Sequence, residues 1–413
     1  MKRSAWLVTV GEPLIGPSEP RAPLRTGHIA LDLLANGWDV TWWVSSFDHL
    51  RKQPFTTPER DGAESTGVSM RWLSAPGYRK NISVARIRDH QQLAREFARA
   101  ALREHAPSVI AAAVPPIELA QAVSVYCRRT GTPLVVDVRD LWPDVFEWAA
   151  PAALKPAVRL ASVRQRMSVR NTLRSARAVV GVSRGYLDWG LAHAGRTAND
   201  LDAVIPIFGP GPAPDAGTLP PLPATIAPNR TIFAFVGTFG RSYDLHTVVR
   251  AARQLAPEVA EKIQIVIAGD GEERRAIQAE SAGLSHLVFT GWLDRASVAR
   301  LMDVSKAGLA AYSKGALQGL PNKIADYLSY GRPIVSGLAG ECAELLSRSG
   351  AGWTYAPGDA ANLARLLTEL TNEPIRLEHA SQNARALFAS EFEPDRSKRR
   401  YRELLERAAD RRS

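Results

Sequence analysis

The sequence predicts the α/β class, with two doubly wound parallel sheets in series. Three observations predict it. Short β-rich apolar runs alternate with helical patterns along most of the chain. One segment, residues 209–230, holds seven prolines and breaks that alternation. The length, 413 residues, suffices for two cores of ordinary size.

Residues 4–10 form an apolar run that reads as a first strand. The loop 11–26 follows, with four prolines and the pair Arg21 and Arg25. Residues 27–36 read as a helix closed by Gly37, and 39–45, DVTWWVS, as the next strand. Strands are expected near 68–73, 109–114, 134–138 and 178–183, with a helix over 87–105. Beyond the proline-rich segment a second series begins. Strands are expected at 232–236, 263–268, 287–289, 307–312, 333–336 and 352–355. Helices are expected at 245–255, 272–282, 297–304, 322–330 and 361–370. The tail, 391–413, reads as a charged helix.

Composition narrows the class of function. With 45% hydrophobic and 23% charged residues the chain is globular rather than disordered. Its two cysteines, Cys127 and Cys342, lie far apart without metal spacing, which argues for a reducing, cytoplasmic setting. The apolar run at the start is too short for a signal peptide, and no stretch reaches membrane-spanning length. Histidines do not cluster at ligand spacing, and the sole D-x-D, Asp200 to Asp202, lies in a polar loop, so no metal site is expected. No nucleophile elbow, paired catalytic cysteine or P-loop lysine motif occurs. A net charge of +10 points to an acidic partner. Nucleic acid is the weakest of these, because no recognition fold or stacking motif is seen.

The chemistry concentrates in the stretch 311–337, AYSKGALQGLPNKIADYLSYGRPIVSG. An apolar run ends, a loop with Gly315 and Gly319 follows, and Pro321 sits where a first helical turn favours it. The helix start offers unpaired N–H groups and the positive end of its dipole to an anion. Lys323 adds a full charge there, and Asp326, one turn on, suits sugar hydroxyls. A second turn, Phe235 to Arg241, places Gly237 and Gly240 after a strand, so backbone can approach a phosphate and Arg241 can bond a diphosphate. Gly269-Asp270-Gly271 and Gly291-Trp292 end two further strands. Trp292 reads equally as core packing or as a contact to a base. In the first half, Asp137-Val138-Arg139-Asp140-Leu141-Trp142-Pro143 follows a strand, where parallel sheets bind ligands. Asp140 suits a base on an acceptor hydroxyl. An Arg139–Asp140 pair that merely holds the loop is the other reading.

These segments resemble the GT-B glycosyltransferases, family 4 in particular, and within it a branch that builds bacterial surface polysaccharides. The matches recur in order over residues 231–357. Family members carry two glutamates with seven residues between them before a G-x-P-V-like strand start. Here Gln318 and Asp326 hold those places. Gln318 removes one charged contact to the donor sugar. The resemblance implies two Rossmann-like domains facing a central cleft. Residues 1–208 would form the acceptor domain, 209–230 a linker, 231–390 the nucleotide-sugar domain, and 391–413 a helix crossing back to the first domain. It implies a retaining transfer of a sugar from a nucleotide diphosphate donor to a lipid-linked or saccharide acceptor, with no cofactor or metal. Asp140, Arg241 and Lys323 are the expected catalytic residues. Gly237, Thr238, Gly269, Gly271, Trp292, Gln318, Gly319, Leu320, Asn322 and Asp326 are expected to bind the donor. Arg21, Arg25, Gly27 and Arg139 are expected on the acceptor side. Two other readings stay open: a sugar-nucleotide 2-epimerase on the same fold, and a non-catalytic partner subunit, which Gln318 keeps in view.

One further stretch stands apart. Residues 155–177 carry seven Lys or Arg and no acid, beside Trp142, Phe146 and Trp148. A basic amphipathic helix of this kind suits an anionic membrane surface, here the inner face of the cytoplasmic membrane. A solvated charged face is the plainer alternative.

Overall fold

The structure, a computed structural model, describes residues 2–19, 21, 23–81, 83–207, 219–240, 242–316 and 319–410. The chain divides into two compact units. The first is Met1–Pro206 with Asp395–Ser413, and the second is Ile207–Pro394.

The first unit holds a parallel sheet. Its strands are β1 (Ser4–Val8), β2 (Asp39–Ser45), β3 (Ser69–Leu73), β4 (Val109–Val114), β5 (Leu134–Val138), β6 (Ala178–Gly181) and β7 (Ala203–Val204), in the order β3-β2-β1-β4-β5-β6-β7. β4 and β5 are buried at every position, as strands covered by helices on both faces must be. An aromatic group fills one face. Trp6 stacks on Tyr126 at 5.2 Å, and Trp43 meets Phe97 edge-on at 4.9 Å.

The second unit repeats the plan with β8 (Thr231–Val236), β9 (Ile263–Ala268), β10 (Leu287–Gly291), β11 (Ala307–Ala310), β12 (Ile334–Ser336) and β13 (Gly352–Thr354), in the order β10-β9-β8-β11-β12-β13. Side-chain alternation sorts its two cores. Phe233, Phe235, Ile263, Ile265 and Ile267 pack on one face, and Ile232, Ala234, Val266 and Ala268 on the other. In each unit the strand order reverses once, between β1 and β4 and between β8 and β11. That switch point is where open sheets of this type bind ligands, beyond the carboxyl ends of the strands.

Several elements differ from expectation. The helix α1 is Arg25–Ala35, starting two residues before the expected position. The helix expected at 87–105 is α2, Val84–Ala100, because the Ser83 hydroxyl accepts a hydrogen bond from Arg86 N at 3.2 Å and caps it early. The basic stretch is two helices, α3 (Lys155–Ala161) and α4 (Val163–Ser175). They part at Ser162, whose hydroxyl bonds back to the carbonyls of Val158 and Arg159. The strand expected through Tyr312 stops at Ala310, because Tyr312 leaves the sheet to bridge Tyr243. Of the expected linker, residues 209–218 lie outside the described residues. Its end is packed rather than loose: Ile226 is buried, and the Gln264 side chain bonds Ala227 N and Thr225 O. The helix α5 is Asn322–Ser329, and the tail helix α6 is Pro394–Asp410, part of the first unit.

Candidate active site

In the second unit, the loops beyond β8, β9, β10 and β11 are tied to one another by backbone hydrogen bonds. Gly237 N donates to Ala268 O at 2.9 Å, Phe239 N to Asp270 O at 2.9 Å, and Gly269 N to Gly291 O at 2.7 Å. Ser313 N reaches Ser242 O at 3.0 Å from the other side of the switch point. The glycines are required by this closeness. A Cβ on Gly269 would overlap Gly237 O, and one on Gly271 would meet Phe239 O. Both glycines thus let two loops lie in backbone contact.

Lys323 sits in the first turn of α5 and is 7% exposed. Its ammonium Nζ donates to the carbonyl of Val236, the last residue of β8. The faces of Phe235, Tyr243 and Tyr327 lie 4.2, 4.9 and 5.6 Å away. A Cβ on Gly237 would come within 2.6 Å of Nζ, so any other residue there would displace the ammonium from its place. Tyr327 fixes the helix that carries it: the phenol accepts from Val236 N at 3.0 Å and donates to Leu309 O at 3.2 Å. Burial pulls Lys323 down to about 7, against the opposing pull of Asp326. Burial likewise pushes the half-buried Asp326 up to about 6, against Lys323.

Around this pair, Thr238 and Asn322 are exposed, and Gly319 and Leu320 half-buried. Leu320 packs against one core. Trp292 is 76% exposed, which removes the core-packing reading and leaves a large ring free to meet a planar ligand. Arg241 and Gln318, both named from the sequence, lie outside the described residues.

In the first unit, Arg139 and Asp140 follow β5, and both backbone N–H groups donate to Val114 O, the end of β4. Their side chains do not pair with each other. Arg139 bonds Asp137 at 3.0 Å, Thr26 Oγ1 at 2.9 Å and Glu12. Asp140 accepts from Leu141 N and Trp142 Nε1, both at 2.8 Å. Burial nevertheless raises its carboxyl above the usual range.

The other two arginines expected on the acceptor side, Arg25 and Arg21, have partners inside the first unit. Arg25 is 4% exposed. Its guanidinium bonds Asp137 at 2.8 Å and the carbonyls of Ile205 and Pro206 at 2.9 and 2.7 Å, with Tyr401 of α6 against it at 5.3 Å. Burial alone would raise Asp137, yet Arg25 and Arg139 hold it low. Arg21 is bonded by Glu19 and Asp48 at 2.7 and 2.6 Å. Gly27 is a packing position: a Cβ there would stand 2.8 Å from Ile15.

The sequence matches two family profiles in succession, "Glycosyl transferase 4-like domain" over residues 23–204 and "Glycosyl transferases group 1" over 230–373. The chain belongs to the GT-B glycosyltransferases of family 4. This family 4 chain is 29% identical over 118 residues to the amylovoran biosynthesis glycosyltransferase AmsK of Erwinia amylovora, 29% of this chain and 28% of that one. It is 27% identical over 168 residues to WcaL of Salmonella typhimurium, a protein named for colanic acid biosynthesis, 39% of this chain and 41% of that one. The matched stretches thus span less than half of each relative. Among solved structures, Anabaena HepE in complex with UDP shares the fold, with TM-score 0.65 and 15% identity over 98% of this chain and 100% of that one.

The GT-B chain also carries a cluster that sequence reasoning missed, His49, Lys52, Tyr78 and Arg86, beside Trp142. No signal could have found it, since its members come from separate segments without a shared motif.

Proposed function

We propose that this glycosyltransferase moves a sugar from a nucleotide diphosphate donor to a lipid-linked or saccharide acceptor in the building of a bacterial surface polysaccharide. One observation carries the donor half: a buried lysine at a helix start, set beside glycines that hold two loops in backbone contact at the switch point. The diphosphate of the leaving nucleotide gains charge as the C1–O bond breaks. Lys323, Arg241 and the first N–H groups of α5 supply the opposing charge before the reaction begins. Asp326 accepts hydrogen bonds from sugar hydroxyls, and Trp292 meets the base. Asp140, raised by burial, suits a base that draws the proton from the acceptor hydroxyl. Attack on the face that the diphosphate leaves gives retention. All charge comes from side chains and amides, so chelators leave transfer unchanged.

The test is a thermal-shift panel of nucleotide diphosphate sugars, because a ligand of the folded state raises apparent stability. Transfer from the stabilising donor then follows by mass, and the anomeric configuration of the product by NMR. Lys323→Ala lowers kcat/KM by roughly 100-fold. Near-normal activity in that variant sinks the donor assignment, and epimer formation from donor alone replaces transfer with the epimerase reading.

The proposal includes peripheral attachment to the inner face of the cytoplasmic membrane. No helix among the described residues is long and apolar enough to cross one. Instead Leu154 just before α3, and Leu160, Val163 and Met167 along α3 and α4, stand exposed, with Trp148 nearby. Arg159 and Arg166 are tied to Glu147, and Arg166 to Asp144. Arg164, Arg170 and Arg174 are exposed and available to lipid phosphates. Each contributes about 1 kcal/mol near an anionic surface. Co-sedimentation with anionic vesicles at low salt is expected, with loss when these three become glutamate. A wild-type protein that stays in the supernatant overturns the attachment.

A further inference from the structure

A cationic, ring-lined cluster in the first unit has no part in the donor chemistry. His49 and Lys52 lie in the turn that joins a short antiparallel ladder, Phe47–Asp48 with Gln53–Pro54. Tyr78 and Asn81 follow β3, Arg86 lies on α2, and Trp142 follows β5. The Arg86 guanidinium lies between two rings, 5.4 Å from Tyr78 and 4.5 Å from Trp142. Lys52 Nζ lies 4.7 Å over the same Tyr78 ring.

Both cations rest on acceptors that are not carboxylates. Lys52 reaches Asn81 Oδ1 at 2.6 Å and His49 Nδ1 at 3.2 Å. Arg86 reaches Asn81 O at 3.0 Å and His90 Nε2 at 3.4 Å. The nearby carboxylates are engaged elsewhere: Asp48 by Arg21, Asp89 by Gly77 N, and Glu118 beside His90. Among the described residues, neither Lys52 nor Arg86 has a carboxylate within ion-pair distance. Both are half-exposed. The Tyr78 hydroxyl and His49 Nδ1, 2.5 Å apart, add a polar pair between them.

We infer that this cluster seats a phosphoryl group carried by the acceptor, as in a sugar joined to a lipid through diphosphate. The inference rests on the transferase reading above and names a subsite within it. A guanidinium lying over two rings keeps donors beyond those given to Asn81 and His90 for a phosphoryl oxygen, and the ammonium adds a point charge. Asp48 acts on Lys52, and Asp89 and Asp140 on Arg86, at longer range than an ion pair, and two cations without an ion-pair partner match a diphosphate esterified at both ends, one charge on each phosphate, better than a single carboxylate. The seat also adjoins the proposed base. Trp142 carries Arg86 on its ring and donates its N–H to Asp140, so one side chain links anion seat and carboxylate.

His49 is the built-in reporter. Burial pulls its imidazole down to about 4, helped by Lys52, Arg86 and His90 and opposed by Asp48. A bound anion offsets Lys52 and Arg86 and raises it. The experiment titrates full-length protein, labelled with 13C at histidine rings, with inorganic pyrophosphate. The His49 signal is expected to shift saturably, with its pKa rising by about one unit. Lys52→Met and Arg86→Met each weaken that response at least about tenfold, as loss of a charged contact does. Lys52→Gln, at a half-exposed site, repeats the test should Arg86→Met fail to fold. Lys323→Met keeps the response while losing nucleotide diphosphate binding, so failure of the donor reading leaves this result intact. A prenyl diphosphate sugar that saturates the shift at lower concentration than pyrophosphate supports an acceptor-borne group. An unmoved His49 signal, an equal response in the Lys52 and Arg86 variants, or tighter saturation by glucuronate overturns the inference.

Discussion

Lys323 is a lysine set to exchange its proton near neutrality. Burial brings it to about 7 from 10.5. Between those values the unfolded chain holds a proton that the native residue has released, so this residue makes folding more favourable as pH rises across the window. A bound diphosphate restores the ammonium. Above pH 7, donor binding should therefore take up close to one proton, and affinity should fall by up to about tenfold per pH unit. Calorimetry in buffers of different ionisation enthalpy measures that uptake, and uptake of none at pH 8 removes Lys323 from the phosphate. Arg25 is a different kind of cation. It read from the sequence as a charge at a helix start facing ligand. Its main partners, Asp137, Ile205 and Pro206, lie more than a hundred residues away, so its burial was not legible. Arg25→Met leaves Asp137 short of one guanidinium and should cost about 3 kcal/mol in denaturant unfolding. A loss below about 1 kcal/mol would show that Arg139 alone satisfies the carboxylate.

At the scale of elements, the glycine turn after β8 and the first turn of α5 act as one unit, because Gly237 leaves the space that Lys323 fills. Gly237→Ala should push the ammonium aside and weaken nucleotide diphosphate binding as much as Lys323→Ala does. Binding within about twofold of wild type by calorimetry would break that link. Trp292→Ala should weaken donor binding without lowering the unfolding midpoint, since the ring is exposed. Most strands were legible because β4, β5 and β9 are buried on both faces and read as apolar runs, broken only by Asp137 in β5 and Gln264 in β9. The break at Ser162 was not, since it depends on a hydroxyl turning back on its own helix. The helix Pro374–Leu387 was also missed, because its apolar positions form no sharp stripe.

At the scale of the molecule, two alternating series of strands and helices announced two units, and the glycine turns of the second pointed to its candidate site. The first unit was less legible. Its arginines looked alike in sequence, and the fold buries some against carboxylates and leaves others open. The tail was read as a charged helix, and in the first unit Tyr401 of α6 closes over Arg25 and Asp137, Arg402 meets Asp32, and Arg407 meets Asp200. Deleting residues 394–413 should therefore make the first unit insoluble. A variant that still unfolds cooperatively by circular dichroism would contradict that. The chain thus leaves the first unit at Pro206 and re-enters it at Asp395. In gene terms the second unit is an insertion within the first. It is encoded as one continuous segment, whereas the first is encoded in two pieces.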